Sequence, residues 1–258
     1  MHNKLIASTM TQRTFTLDVA LDKLLEAGFD TIELCSVGEW VPHFDVANAT
    51  DETVKQTADL IKSKGIKVHC INIGGVYTAE QLEKVYQLAR EVKAGIVTYA
   101  CGTKEETGSY ETAFQKHVEL NSKLADFGDK YGIICSVEAP HKLSLAETPE
   151  QIDAYWAAQD PRVKCTFDVA HLTYSGADMI GYAKKLAKRM VHSHLRDACL
   201  GNSLKRYGEG TVDFATYLKT VKDAGYNGYF SMEYPPETPE EAVERLVSSR
   251  IFLSQFDI

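Results

Sequence analysis

The sequence lacks several features that would place it in a specialised class of protein. Lysine and arginine together number 28 against 36 aspartate and glutamate residues, so no basic excess supports nucleic-acid binding through charge. No apolar run approaches the roughly 20 residues that a membrane-spanning helix needs. We therefore expect no nucleic-acid partner and no association with a membrane.

Paired cysteine spacing is also absent. The six cysteines are scattered, and those at positions 35, 70, 101, 135 and 165 fall in or at the ends of predicted strands. A free cysteine in such a place behaves as a small apolar residue. The apolar stretch at the start of the sequence is too short for a secretory signal. These features predict a reduced protein located in the cytoplasm.

No stretch rich in proline, glycine and serine interrupts the chain, whose 258 residues are a typical length for a single α/β barrel. What recurs instead is an amphipathic run, a glycine and a β-rich run. The glycine tolerates the left-handed backbone conformation that ends a helix. The five glycines of this kind are Gly28, Gly65, Gly95, Gly132 and Gly225.

This alternation predicts eight strands separated by helices. The predicted strands are 4–8, 31–35, 66–72, 95–100, 133–138, 164–168, 190–195 and 228–233. Eight strands alternating with eight helices favour an α/β fold with a single (β/α)8 TIM barrel, forming one domain over residues 1–258. A doubly wound open sheet is the alternative that the same pattern allows.

Four consecutive predicted strands end in a side chain that can bind a metal: Ser-Val-Glu138, Thr-Phe-Asp168, His-Ser-His194 and Ser-Met-Glu233. In a barrel these ends lie side by side at the mouth, where the chemistry of this fold takes place. Crowded carboxylates raise each other's pKa values, and a divalent cation removes that penalty. One acidic residue at a strand end is commonly a helix cap or a solvated residue. Four on consecutive strands point to a metal site.

The same residues lie in short sequence motifs, and in these motifs the chain resembles the xylose-isomerase-like TIM barrels. This family contains sugar isomerases and epimerases, inosose dehydratase-like enzymes and endonuclease IV. The resemblance covers nearly the whole chain. The motifs that carry it are Ser-Val-Glu138, Phe-Asp168-Val-Ala-His171, Val-His-Ser-His194-Leu-Arg-Asp197, Gly208-Glu-Gly-Thr-Val-Asp-Phe214 and Tyr226-Asn-Gly228-Tyr-Phe-Ser-Met-Glu233.

The resemblance implies one divalent metal ion held by Glu138, Asp168, His194 and Glu233. Mn²⁺ is the first expectation, and Mg²⁺, Co²⁺ and Zn²⁺ are the alternatives. In the ketose 3-epimerases of this family the two glutamates also form the acid/base pair. Glu138 and Glu233 are therefore the expected catalytic residues.

Four further residues are expected to bind substrate. The family uses the position of His171 for a substrate oxygen or, in the endonucleases, for metal. Arg196 could hold a substrate hydroxyl, carboxylate or phosphate, or instead pair with Asp197 at the rim. Glu33 and His69 lie near the ends of the second and third predicted strands, where they would face the mouth. A core or capping role is the alternative for both.

Three more residues are expected near the site. His192 shares the face of His194 by strand alternation and would support it from deeper in the barrel. His141 and Lys142 follow the fifth predicted strand and would line the pocket. The segment Gly208–Gly210 is expected to be a turn before a helix rather than a phosphate-binding loop.

The expected site suits proton transfer next to a carbonyl group. A bound cation would polarise a hydroxyl and a neighbouring carbonyl of the substrate, and a glutamate would remove the acidified proton. We therefore expect a divalent-metal-dependent isomerase or epimerase that acts on a sugar, keto-sugar or polyol through an enediolate. A lyase on the same scaffold is the alternative: a keto-inositol dehydratase, a decarboxylase or a keto-glycoside-cleaving enzyme.

Two departures from the family pattern narrow this expectation. Residues 139–146 contain no acid, whereas ketose 3-epimerases usually carry another glutamate there. Residues 198–207 contain neither the Asp nor the His that endonuclease IV places there, which argues against an abasic-site endonuclease. A non-catalytic polyol-binding protein is the alternative from a different class. Family members often form homodimers or homotetramers, so the expected partners are a small sugar or polyol and further copies of the chain.

Overall fold

The centre of the molecule is a closed barrel of eight parallel strands, seen in a computed structural model that describes residues 4–103 and 108–258. Each strand pairs with its neighbours in chain order, and the first pairs with the last. The predicted (β/α)8 barrel is therefore confirmed, and the open sheet is not observed. The barrel strands are β1 (Leu5–Ser8), β2 (Thr31–Val37), β3 (Lys67–Gly74), β4 (Ile96–Ala100), β5 (Ile134–Glu138), β6 (Lys164–Asp168), β7 (Met190–Leu195) and β10 (Phe230–Met232).

Helices cover the outside of the barrel. In the described part of the chain they are α1 (Leu17–Glu26), α2 (Asp51–Ser63), α3 (Ala79–Val92), α4 (Tyr110–Tyr131), α5 (Pro149–Ala158), α6 (Val169–Ser175), α7 (Met179–Leu186), α8 (Phe214–Asp223) and α9 (Pro239–Leu253). A 3-10 helix, Thr9–Gln12, follows β1. None of the helices in these ranges is both long and apolar enough to cross a bilayer.

Two features of the structure differ from the expected alternation of eight strands with eight helices. The connection from β6 to β7 contains two helices, α6 and α7, instead of one. An antiparallel hairpin follows β7, formed by β8 (Asp197–Cys199) and β9 (Asn202–Lys205). The hairpin lies at the carboxyl-terminal end of the barrel and supplies part of the wall around its mouth.

Left-handed residues end the helices at four of the five predicted glycines. Gly28, Gly65, Gly132 and Gly225 have φ values of 84°, 70°, 70° and 94°. After α3 the left-handed residue is Lys93, with φ 60°, and it comes two residues before Gly95. Gly95 instead enters the sheet, where its N–H donates to the His69 carbonyl at 3.1 Å. The helix therefore ends earlier than the glycine predicts.

The strands alternate between an apolar outer face and a polar inner face. On β2, Ile32 and Leu34 pack into the hydrophobic core shared with the helices, whereas Glu33 is buried among polar side chains inside the barrel. Each such aliphatic side chain contributes about 1.5–3 kcal/mol when it is fully buried. All six cysteines are free thiols, and five of them are buried. The barrel is therefore held by its outer apolar layer and leaves its interior for polar groups.

Candidate metal and substrate site

The ends of four consecutive barrel strands bring the predicted metal-binding side chains together. Glu138 ends β5, Asp168 ends β6, His194 lies on β7 and Glu233 directly follows β10. One ligand atom of each lies within 4.8 Å of the others. All four are buried, with exposed fractions of 6%, 0%, 0% and 2%. The sheet register explains the placement, since Asp168 pairs with His194 and the Glu233 N–H donates to the Leu195 carbonyl at 3.1 Å.

The two ring nitrogens of His194 have different surroundings. Nε2 lies 2.9 Å from Oε2 of Glu33, while Nδ1 lies 3.2 Å from Oε1 of Glu138 and 3.5 Å from Oε2 of Glu233. If the neutral imidazole donates its proton to Glu33, the lone pair of Nδ1 faces two carboxylates. This contact between a lone pair and two negative charges is unfavourable. A divalent cation placed between Nδ1 and the two carboxylates would bind all three groups, so the donor atoms fit a metal.

The electrostatics of the cluster also indicate a need for positive charge. Burial, together with the carboxylates of Glu138 and Glu33, raises the pKa of Glu233 to about 8. Burial opposes protonation of His194, but the carboxylates of Glu233, Glu33 and Glu138 outweigh it and hold its pKa well above the usual range. Buried carboxylates that lie close together either take up a proton or are compensated by cations. A bound cation would meet that requirement.

Arg196 supplies part of this compensation. Its Nη2 donates to Oδ2 of Asp168, and it also donates to Nε2 of His171 at 3.0 Å. The same His171 nitrogen lies 3.3 Å from Oε1 of Glu138. The other oxygen of Asp168 accepts the N–H of Ala170 at 2.6 Å and so caps α6. The structure therefore places Arg196 and His171 beside the predicted metal ligands.

Arg196 does not pair with its neighbour Asp197. The Asp197 carboxylate instead accepts the N–H groups of Gly208 and Gly210, at 2.8 Å and 2.9 Å. A side chain at Gly210 would collide with this carboxylate, since an added Cβ would lie 2.1 Å from its Oδ1. The segment is thus the expected turn ahead of α8, and it leaves Arg196 directed at the site.

Glu33 and His69, which we expected at the mouth, lie deeper in the barrel. Glu33 is fully buried, and its Oε2 is 2.5 Å from Nε2 of His192 as well as in contact with His194. The His69 ring packs on Tyr229, with a centroid distance of 4.3 Å, and lies 5.5 Å from the His192 ring. Among the described residues, neither is part of the cavity wall. His192 is thus linked to His194 through the shared contact with Glu33.

A cavity of about 500 Å³ opens above the cluster. Glu138 and Glu233 reach its wall, whereas Asp168 and His194 lie beneath it. His141 and Lys142 line it as expected. Sequence reasoning missed Asn72, whose Nδ2 donates to Oε1 of Glu233 at 3.3 Å. Strand alternation could have found Asn72, because it follows the inward-facing Cys70 by two residues.

A polar site with converging carboxylates at the carboxyl-terminal mouth of a β/α barrel is typical of enzymes with this fold. The model of the xylose isomerase-like TIM barrel family matches residues 21–250. The chain therefore belongs to that family.

Two curated proteins illustrate the sequence similarity. The chain is 27% identical over 142 residues to the rhizopine catabolism protein MocC of Rhizobium meliloti, covering 48% of this chain and 42% of that protein. It is 30% identical over 153 residues to an inosose dehydratase of Clostridium perfringens, covering 50% and 52%. The matches thus span about half the length of these relatives.

Solved structures share the fold over nearly the full chain. A D-allulose 3-epimerase from a Methylomonas species has a TM-score of 0.74 at 17% identity, covering 98% of this chain and 97% of its own. The IOLI protein, whose structure contains a bound zinc atom, has a TM-score of 0.72 at 18% identity, covering 98% and 99%. At such low identity these likenesses establish the fold.

Proposed function

We propose that this protein is a divalent-metal-dependent isomerase or epimerase that moves the proton next to a carbonyl group of a sugar, keto-sugar or polyol. The observation that carries the proposal is the division within the four-residue cluster. Glu138 and Glu233 reach the cavity from two strand ends separated by β6 and β7, while Asp168 and His194 stay beneath it. Two carboxylates that approach one cavity from different strand ends suit proton removal by one and proton return by the other.

Glu138, Asp168, His194 and Glu233 would hold the cation, with Mn²⁺ as the first candidate and Mg²⁺, Co²⁺ and Zn²⁺ as alternatives. When bound, the cation supplies Lewis-acid polarisation of a substrate carbonyl and hydroxyl. Zinc is the ion found in the structurally similar IOLI protein. Elemental analysis of purified protein tests this part, since about one ion per chain is expected and none in an Asp168→Asn variant.

The other residues have binding and orienting roles in this proposal. Arg196 and His171 hold substrate oxygens at the cavity floor, because Arg196 Nη1 lies 3.9 Å from Oε2 of Glu233 and His171 Nε2 lies 3.3 Å from Oε1 of Glu138. Glu33 accepts the Nε2 proton of His194 and thereby directs Nδ1 toward the carboxylates. The carboxylate of Glu138 takes the substrate proton, and the carboxyl group of Glu233 returns one from the other side.

Proton exchange in D₂O tests the reaction. The metal-loaded protein is incubated with a panel of ketoses, inososes and their 3-keto glycosides, and deuterium at the α-carbon is followed by NMR. Exchange with an unchanged carbon skeleton supports the proposal, and Glu233→Gln should remove it. Neither exchange nor product with any member of the panel, at full metal loading, contradicts it.

A dehydratase is the second candidate, and two observations favour it. One relative, 30% identical, is an inosose dehydratase. Residues 139–146 also lack the acid usual in similar ketose 3-epimerases. In this case the intermediate would expel a β-hydroxyl group as water. Mass spectrometry separates the candidates, since a dehydratase product is lighter by one water and an epimer is not.

A further inference from the structure

The cavity has two walls of different chemistry. The wall formed by β5, β6 and β7 with their following segments is polar and carries Glu138, His141, Lys142, His171 and Arg196. Hydroxyl and carbonyl groups of a sugar can all find hydrogen-bond partners on this side. The polar wall thus suits the reacting part of the proposed substrate.

The opposite wall is apolar. It contains Met10, Val37, Trp40 and Val76, which come from the segments that follow β1, from β2 and from the segments after β2 and β3. Trp40 and Val76 have exposed fractions of 43% and 68%, so much of their apolar surface is open for contact with a ligand. Sugar hydroxyls buried against this wall would lose hydrogen bonds to water and gain none.

The Trp40 ring is held in a defined position. The Arg13 guanidinium lies 5.2 Å from the ring centroid, and Arg13 in turn pairs with Glu237 at 3.0 Å. The Trp40 backbone N–H donates to the Val37 carbonyl at 3.0 Å, which fixes the backbone of the turn. An aromatic ring fixed in this way offers a rigid surface for another flat or apolar group.

Bare backbone lies between Val37 and Val76. A side chain at Gly74 would come within 3.0 Å of a Val37 methyl group, so glycine allows the close approach of β2 and β3 there. The Gly75 carbonyl accepts a hydrogen bond from the Tyr99 hydroxyl at 2.7 Å and is thereby fixed. Neither glycine places a side chain in this part of the wall, and the cavity of about 500 Å³ lies within the roughly 300–1,000 Å³ of pockets that bind small molecules.

We propose that the Met10–Val37–Trp40–Val76 wall binds an apolar or aromatic group attached to the sugar, so that the substrate is a glycoside with an apolar aglycone. The inference rests on the proposed function only for the sugar part, which occupies the polar wall. The aglycone would cover the exposed faces of Trp40 and Val76, and burial of that apolar surface would strengthen binding.

Intrinsic fluorescence gives a direct test without metal or turnover. The chain has two tryptophans, so a Trp156→Phe variant leaves Trp40 as the only one. This variant is titrated with phenyl and methyl glycosides of glucose, galactose, mannose and xylose. For at least one sugar, the phenyl glycoside should shift Trp40 emission saturably and bind at least tenfold more tightly than the methyl glycoside.

Calorimetry on the full chain supplies the controls. In Trp40→Ala the affinities for the phenyl and the methyl glycoside should differ by no more than about twofold. Trp40→Phe should keep most of the preference for the phenyl glycoside. Val243→Ala removes an apolar side chain of similar exposure on α9, away from the cavity, and should change neither affinity. Equal phenyl and methyl affinities for every sugar, or no saturable binding by any of them, overturn the inference.

Failure of the apolar subsite can be distinguished from failure of the proposed isomerase function. A phenyl preference without any D₂O exchange leaves the apolar subsite in place and rejects the isomerase. Exchange on free sugars with no phenyl preference supports the isomerase and rejects the apolar subsite.

Discussion

The barrel interior contains two regions that the same strands build, and they differ in charge. β5 contributes Ser136 and then, two residues later, Glu138; β6 contributes Thr166 and then Asp168. In the lower region the hydroxyls bond to one another, with Thr166 Oγ1 lying 2.8 Å from Ser136 Oγ and 2.7 Å from Thr98 Oγ1. In the upper region the side chains are mostly carboxylates.

The two regions differ in how their side chains can satisfy their hydrogen bonds. A hydroxyl both donates and accepts a hydrogen bond, so the lower network satisfies itself without help. An ionised carboxylate only accepts, so the upper cluster needs donors and cations from elsewhere. Arg196 and His194 provide some of that charge. One step of strand alternation thus separates a layer of neutral hydroxyls from a layer whose carboxylates depend on donors outside their own group.

The largest expected effect comes from removing a proton-carrying group from the upper region. Glu233→Gln should lower kcat/KM by roughly 10²–10⁴-fold, the usual contribution of a general acid or base. Steady-state kinetics on the substrate found by D₂O exchange measures it, with circular dichroism to verify folding. Activity within fivefold of wild type would remove Glu233 from the acid/base pair.

The placement of this upper cluster and the position of His192 beneath it could be predicted from sequence, whereas the positions of Glu33 and His69 could not. Glu138, Asp168, His194 and Glu233 end strands whose order the barrel topology dictates, so their adjacency follows from the fold. The register between β2 and β3 is irregular, since Ile32 pairs with Val68 but Glu33 pairs with Cys70.

That shift skips His69 and breaks the alternation on which sequence reasoning relies. His69 consequently packs on Tyr229 instead of reaching the mouth. Glu33 lies beneath His194 because β2 continues as far as Val37, so Glu33 stands in the lower half of the strand and not at its end. Hairpin β8–β9 was missed because its short sequence contains no strong alternation.

A second prediction concerns Glu33, which connects the two regions. Glu33→Gln keeps an acceptor near Nε2 of His194 but removes the charge, so Mn²⁺ affinity should fall roughly 10–100-fold. Competition with a chelating dye measures the affinity directly. Ser231→Ala is the matched control, because Ser231 is fully buried, pairs with His194 in the sheet, and its hydroxyl makes no hydrogen bond within the described residues. Equal losses in both variants would contradict the positioning role.

A third prediction compares histidines in two surroundings. Carboxylates hold the pKa of His194 high at the mouth, whereas burial lowers the pKa of His117, packed near Tyr99 and Tyr155, to about 4. The unfolded chain then binds a proton that the folded state excludes between pH 6.5 and 4. His117 should therefore reduce the free energy of unfolding by about 2 kcal/mol as the pH falls from 7 to 5.

Urea unfolding at both pH values, for wild type and His117→Gln, measures this contribution. The variant should lose less stability than wild type on going from pH 7 to pH 5. An identical pH dependence in the two proteins would show that His117 takes up its proton in the folded state.

The smallest expected effect lies in the lower region and tests whether the two layers are separate. Ser136→Ala removes one hydroxyl from the neutral network but leaves Thr166 bonded to Thr98, so the free energy of unfolding should fall by about 1 kcal/mol. Mn²⁺ affinity and kcat/KM should stay within twofold of wild type. A tenfold loss of metal affinity would mean that the hydroxyl layer also positions Glu138, two residues further along β5. The layers would then act as one unit, and charge alone would not define where the site begins.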